Sequence, residues 1–299
     1  MLAESLGAGR LILANALSSF YLHDSKSGLK GALARSGSLE ARLARTKKEV
    51  RKAQRLRFKV FYKEGGAAVD PKAALTRRDA DKFDKHCDHL IVIDRAAKNR
   101  FGKIKPKVVG AYRLLRSDVA LAKCGFYSAG EYHLAELIRR HPGKRFLELG
   151  RSCVLSEYRG KHTIDLLWRG LLTYIRHHDI DALIGCASFD GANPLRHAAA
   201  LSFLAHHARA EDEWSVRARD ERFTAMDILS REAVDAKRAL ASLPPLIKGY
   251  LRVGARFGDG AVIDRKFNTV DVFAVMPVER MDARYCRHFG SEGADSHAA

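Results

Sequence analysis

A glutamate and an arginine three positions apart, Glu148 and Arg151, lie inside the apolar run Phe146, Leu147, Leu149, Cys153, Val154 and Leu155. Bounded by Pro142-Gly143 and Arg159-Gly160, this run predicts a buried strand. A carboxylate in such a strand is costly to bury without a partner or a task, so Glu148 reads either as half of an ion pair with Arg151 or as a general base. In a regular strand Arg151 faces the other way, and a β-bulge would bring the two together. Directly after the strand, Arg159, Gly160, Lys161, His162 and Thr163 form a basic turn that opens a helix. Free backbone N–H groups and positive charge at a helix N-terminus suit an anion such as phosphate.

The elements that position these residues are readable from periodicity. Ile164, Leu167, Trp168, Leu171 and Ile175 recur at spacings of three and four, with Thr163 the expected N-cap. Upstream, 38–62 reads as one basic helix carrying Lys47, Lys48, Arg51, Lys52 and Arg55 around an apolar face, lopsided enough in charge to suggest a docking surface. Residues 63–88 read as a long loop, and 89–94 and 108–115 as strands. After the central strand and helix come a buried strand at 182–187 and a helix opened by Asn193-Pro194. A charged insertion, helical in part, follows at 208–243. A helix from Pro244-Pro245 and closing strands at 261–264 and 269–276 complete the chain. The pattern predicts an α/β fold, a mixed sheet flanked by helices, with a helical insertion before the last helix and strands. The expected divisions are an N-terminal arm over 1–38, one domain over 39–290 and a disordered tail over 291–299. The arm reads as a loosely docked tail or as an interfacial helix on a membrane.

Composition narrows the partners. The chain has 299 residues, 46% of them hydrophobic, enough for a sizeable core, and a net charge of +18 that attracts acidic partners. Nucleic acid, anionic lipid and an acidic carrier protein qualify on charge alone. No nucleic-acid motif is recognisable and few aromatics interleave with the basic run, so nucleic acid is not expected. The five cysteines include no CxxC pair, and His86-Cys87-Asp88-His89 lacks a second ligand set, so reduced thiols and no metal are expected. The uncharged run at 11–22 is too short and polar to span a bilayer, and Glu4 and a lone Arg10 before it do not make a signal. A cytoplasmic chain is expected, with peripheral association with an anionic inner membrane left open.

Strand, Arg159-Gly160 and amphipathic helix resemble the central motif of the GNAT N-acyltransferase superfamily, whose loop binds the pyrophosphate of coenzyme A. That resemblance implies a GNAT-like fold. The superfamily's further glycines, at the third and fifth positions after the starting Arg, are absent from Lys161-His162-Thr163-Ile164. A longer resemblance runs from about Leu56 to Val278, through DADKFDKHCDHLIV, FLELGRSCVLSEYRGKHTIDLLWRGLLTYI and LPPLIKGYLRVGARFGDGAVID. These stretches are similar to the bacterial L-ornithine N(alpha)-acyltransferases. The resemblance implies transfer of a 3-hydroxyacyl chain from acyl carrier protein (ACP) to the α-amine of L-ornithine, giving lyso-ornithine lipid. It implies no permanently bound cofactor, since the acyl group rides on the phosphopantetheine of ACP. One phosphate in place of a pyrophosphate would account for the missing glycines.

A second related pattern, that of the acyl-homoserine-lactone synthases, is met by Arg57, Phe61, Asp81, Asp84, Arg113, Glu148 and Arg151, which implies that these bind substrate. For ornithine, Arg113 or Arg116 would grip the carboxylate and Asp81 or Asp84 the side-chain ammonium. Tyr250, four residues before Gly254, resembles the GNAT tyrosine that protonates the departing thiolate, and it also fits an apolar helix face. The rival readings are another amine acceptor, homoserine-lactone-type signal synthesis, and a basic nucleic-acid-binding protein.

Overall fold

A computed structural model describes residues 27–290. Nine strands form one sheet: β1 (Ala34–Ser36), β2 (Leu39–Leu43), β3 (Asp88–Asp94), β4 (Lys107–Arg116), β5 (Phe146–Val154), β6 (Ala182–Asp190), β7 (Phe223–Thr224), β8 (Arg256–Asp264) and β9 (Thr269–Pro277). Their order across the sheet is β1-β2-β3-β4-β5-β6-β9-β8-β7. Of these nine strands only β5 and β6 pair parallel with each other. They can do so because helix α4 (Lys161–His177) crosses between them.

Both faces of the sheet are covered. In β6, Leu183 enters one core while Ala182 and Ile184 enter the other, and β9 divides in the same way between Val272, Ala274 and Met276 and their neighbours Phe273 and Val275. The first core takes α1 (Lys47–Arg57), α4 and α5 (Ala198–His207), and the second takes α3 (Leu134–Arg140) with the irregular stretch around Trp214. Apolar residues on both faces explain why β3 is buried along its whole length.

Four expectations are corrected. Residues 38–62 are not one helix: β2 occupies Leu39–Leu43, and α1 begins after Thr46, whose Oγ1 accepts the Glu49 N–H at 3.2 Å. The Thr46-Lys-Lys-Glu49 spacing is a helix-start signature, and Glu49 also holds Arg42 at 2.6 Å across the strand-to-helix turn. Residues 63–88 contain a short helix, α2 (Pro71–Thr76), capped by Asp70 and started by Pro71. The insertion is largely irregular and helical only in part. Trp214, Val216 and Ala218 are buried at alternate positions beside β8, and Ala210 and Ala218 donate backbone hydrogen bonds to Phe257 and Asp259. Its one α-helix is α6 (Ala236–Ser242), beside two short 3-10 turns at Asp220–Arg222 and Arg231–Ala233. Finally, residues 34–36 of the expected arm are the edge strand β1. Residues 1–26 of that arm and the expected tail lie outside the described residues.

Two features of β5 and β6 open the centre of the sheet. The parallel pairing covers only Phe146–Glu148 against Ala182–Ile184, after which the strands part. At that point Gly185 of β6 lies against the backbone of Leu149, and a Cβ there would be driven into the Leu149 carbonyl oxygen. On the other side, the β4–β5 register shifts between Ala111 and Arg113, and Arg151 adopts a left-handed backbone at φ 53°. The bulge allowed for in the sequence is present, centred on Arg151.

Gly185→Ala is expected to destabilise the protein by about 1–3 kcal/mol, because backbone rather than a flexible side chain must yield. Urea unfolding followed by circular dichroism should show the lowered midpoint. An unchanged midpoint would mean that the strands part for another reason.

Candidate active site

Where β5 and β6 part, a cavity of about 240 Å³ opens. Its walls come from β4 (Tyr112, Arg113), β5 (Glu148 to Ser152), β6 (Cys186, Ser188, Asp190), the helix α7 (Pro245–Val253; Leu246, Tyr250) and the β8–β9 hairpin (Asp264, Phe267, Thr269, Asp271). Phe61 also lines it, from a π-helical turn (Phe58–Glu64) that continues α1.

Behind the β4–β5 wall lies a buried network of charges. Arg57 donates to Asp79 (2.8 Å) and Asp84 (2.8 Å), and Arg113 reaches Asp81 (2.6 Å) and Asp84 (3.3 Å). Arg151 completes it with Asp79 (3.1 Å) and Asp81 (3.4 Å). Gln54 donates to Asp84, and the Tyr62 hydroxyl donates to Asp79. Burial acts to raise the Asp84 carboxyl, but the charge and hydrogen bonds of Arg57 outweigh it and hold the group well below the usual carboxylate range. Burial pushes His89 down to about 4, so it is neutral and donates from Nε2 to the Asp84 carbonyl at 3.0 Å. The network thus gathers Arg57, Asp81, Asp84, Arg113 and Arg151. It adds Asp79, Gln54 and Tyr62, which the sequence reading did not single out, and His89, which that reading weighed within the His86-Cys87-Asp88-His89 cluster.

Glu148 stands apart from that network and forms no ion pair with Arg151. Its Oε2 accepts the Tyr127 N–H (2.8 Å), and its Oε1 accepts the N–H and hydroxyl of Ser128 (2.8 and 2.6 Å). One carboxylate therefore fixes the turn that carries Tyr127, whose ring lies under Arg151 at 4.8 Å. The Phe267 ring contacts the same guanidinium at 4.6 Å. Arg151 is sandwiched at the cavity wall, held by two carboxylates behind and two rings beside it.

Tyr250 is buried, and its hydroxyl lies 2.9 Å from that of Tyr112. Burial raises Tyr250 well above the usual phenol range, so it stays protonated at neutral pH. Tyr112 had no signal beyond its place on an apolar strand. The basic turn differs from expectation: α4 starts at Lys161 with Gly160 as N-cap, and no side chain caps it. Thr163 is buried against Gly110 of β4 instead. His162 is exposed at the same end of the helix. Arg159 donates to Glu64 (2.6 Å) and to the Val154 carbonyl (3.1 Å). Arg116 is remote from the cavity, paired with Asp118 and His178. Asp81 and Asp84 are both engaged by arginines and do not line the cavity.

Residues 56–169 match the acetyltransferase (GNAT) domain family. An L-ornithine N(alpha)-acyltransferase of Rhizobium meliloti (strain 1021) is 51% identical over 260 residues, covering 87% of each chain. One from Brucella abortus (strain 2308) is 51% identical over 87% of this chain and 92% of its own. Among solved structures, an N-acyl amino acid synthase from uncultured soil microbes aligns over 81% of this chain and 91% of its own, at 13% identity and a TM-score of 0.46. With half of the aligned residues identical over 87–92% of these relatives' length, the chain belongs to the L-ornithine N(alpha)-acyltransferase family.

Proposed function

We propose that this protein transfers a 3-hydroxyacyl chain from acyl-ACP to the α-amine of L-ornithine, giving lyso-ornithine lipid. Kinship with enzymes named for ornithine supports the acceptor. The observation that carries the chemistry is the cleft at the parting of β5 and β6, with the Glu148 carboxylate on one wall and the Tyr250 hydroxyl on another.

The amine attacks the thioester carbonyl, a C–N bond forms, the C–S bond breaks, and the thiolate takes a proton. Glu148 uses three acceptor positions on Tyr127 and Ser128, and a carboxylate offers about four, so one remains for the amine proton. A protonated Tyr250, with Tyr112 behind it to pass on a proton, supplies the thiolate. Arg151 and Arg113 on the cleft wall suit the acceptor's carboxylate.

The donor's phosphate would lie at the N-terminus of α4, where the amides of Lys161, His162 and Thr163 begin the helix without a side-chain cap. Gly160 leaves open space there. Arg159, tied to Glu64, links this turn to the end of the π-helical segment after α1. Lys47, Lys48, Arg51, Lys52 and Arg55 are exposed on α1, the helix that runs on into that segment, a basic face suited to an acidic carrier. No helix among the described residues is long and apolar enough to cross a membrane. Peripheral contact with an anionic inner membrane, on the cytoplasmic side where ACP is found, fits the same basic face.

The donor assignment is tested by steady-state kinetics with one acyl group presented on ACP and on coenzyme A. The ACP thioester should have a clearly higher kcat/KM, and replacing Lys48, Lys52 and Arg55 together by Glu should raise its KM and weaken its salt dependence. Equal efficiency with the two thioesters would remove the carrier from the proposal.

Glu148→Gln keeps the shape of the side chain and should lower kcat by roughly a hundredfold or more, the scale of general-base catalysis. Near-normal turnover in the folded variant would make Glu148 only the anchor of the 127–128 turn.

A further inference from the structure

Glu131 gathers with Asp264 and Asp271, two residues that line the cleft, their carboxylate oxygens within 4.8 Å of one another. All three are buried, and Asp271 is 6% exposed. Two of them already have partners. Glu131 accepts from the Cys186 thiol (3.3 Å) and lies 3.5 Å from the Arg222 guanidinium, while Asp264 Oδ1 accepts the N–H groups of Lys266 (2.8 Å) and Phe267 (3.0 Å). Asp271 Oδ1 and Thr269 Oγ1 are different: both are buried and neither makes a hydrogen bond of good geometry among the described residues, although the Ser188 and Thr269 hydroxyls lie close enough to Asp271 to favour its ionised form. Both residues line the cavity. A buried acceptor left unsatisfied costs about 1–3 kcal/mol, and in a native protein such a group calls for a ligand.

We infer that Asp271, with Thr269, Asp264 and Glu131 around it, binds the side-chain ammonium of the amino-acid acceptor and thereby selects a diamino acid. This rests on the acyl-transfer reading and deepens it. An ammonium brings three donors and one positive charge, which match the free Asp271 oxygen, the Thr269 hydroxyl oxygen and the surplus negative charge of the cluster. Burial, and then the neighbouring Glu131 carboxylate, raise Asp271 to about 7 against the opposing pull of the Ser188 and Thr269 hydroxyls. A carboxyl poised there ionises when a cation arrives beside it. A hard divalent ion wants six or more oxygens, and two of these three carboxylates are already engaged, one of them beside the Arg222 guanidinium.

Arg151 lines the same cleft and turns its guanidinium toward it. Arg151 lies over the ring of Phe267, and the Phe267 amide is bound to Asp264, so one short hairpin turn connects the guanidinium to the anionic cluster. An acceptor with a carboxylate at one end and an ammonium at the other meets both. Its α-amine then lies between them, on the side of Glu148. Asp81 and Asp84, expected from sequence to meet this ammonium, are neutralised by Arg57, Arg113 and Arg151.

The test compares kcat/KM for L-ornithine and for L-2-aminopentanoate, which is ornithine without its side-chain amine, using one acyl donor. The wild-type ratio should be about 100 or more, since a site built to bond an N–H group rejects an analogue that lacks it. Asp271→Asn, of the same shape without the charge, should reduce that ratio at least tenfold, and Asp264→Asn should reduce it less. A wild-type ratio near one, with good turnover, would overturn the ammonium pocket and leave the acyl transfer standing. A ratio unchanged in both variants would also overturn it, as would selectivity that vanishes on chelating divalent cations. Turnover with neither compound but with some other amine would instead overturn the ornithine assignment itself.

Discussion

The charge network behind the β4–β5 wall is the constraint on which the site depends. Three arginines and three aspartates gather there, all but Asp81 and Arg151 almost wholly withdrawn from water, and desolvating an unpaired ion of this kind costs several kcal/mol. They are tolerable only together, because each guanidinium meets two carboxylates and each carboxylate meets two guanidinia. The network joins elements distant in sequence: α1 through Arg57, the 79–84 segment, β4 through Arg113 and the β5 bulge through Arg151. A left-handed backbone costs a residue such as Arg151 about 1–2 kcal/mol, and its ion pairs offset that strain. Through this exchange the bulge aims a cation at the cleft in place of continuing the strand.

The parting of β5 and β6 supplies the space into which that cation faces. Gly185 permits the close approach to Leu149 at the last paired residues, and beyond it the two strands cannot share hydrogen bonds. Glu148 is the last β5 residue in that pairing, so its carboxylate stands at the apex of the opening and ties the 127–128 turn to it. The cleft thus presents the Arg151 guanidinium and the Asp271 carboxyl on its walls, together with apolar Phe61, Leu246 and Phe267. Charged groups fixed in this way orient a zwitterionic amino acid with a charged side chain before any chemistry begins.

The sequence disclosed those parts of this arrangement that have a local signature. The β5–α4 segment was readable because its apolar residues change from a compact run to a three-and-four spacing within a few positions, and the short apolar stretch at 269–276 read as a closing strand. The Thr46 cap was missed because the apolar positions Leu39, Leu43 and Val50 also fit a helical face, so strand and helix merged into one. Thr163 was taken for a cap on residue type, yet it packs against Gly110, a contact that exists only once β4 lies beneath α4. Most of the charge network was reached by resemblance rather than by pattern, and Asp79 escaped because nothing in an aperiodic stretch marks one aspartate among several. The partners of Glu148 lie about twenty residues away, and Asp271 meets Glu131 only through the folded hairpin. Long-range pairings of this kind have no period to betray them.

The central claim is that the cleft holds ornithine by both charged ends and presents its α-amine, and not its side-chain amine, to the thioester. Tandem mass spectrometry of the product formed from acyl-ACP and L-ornithine labelled with ¹⁵N at the α position locates the new amide directly. The account predicts the acyl group on the labelled nitrogen alone. An amide on the unlabelled side-chain nitrogen, as the main product or an equal one, would contradict it.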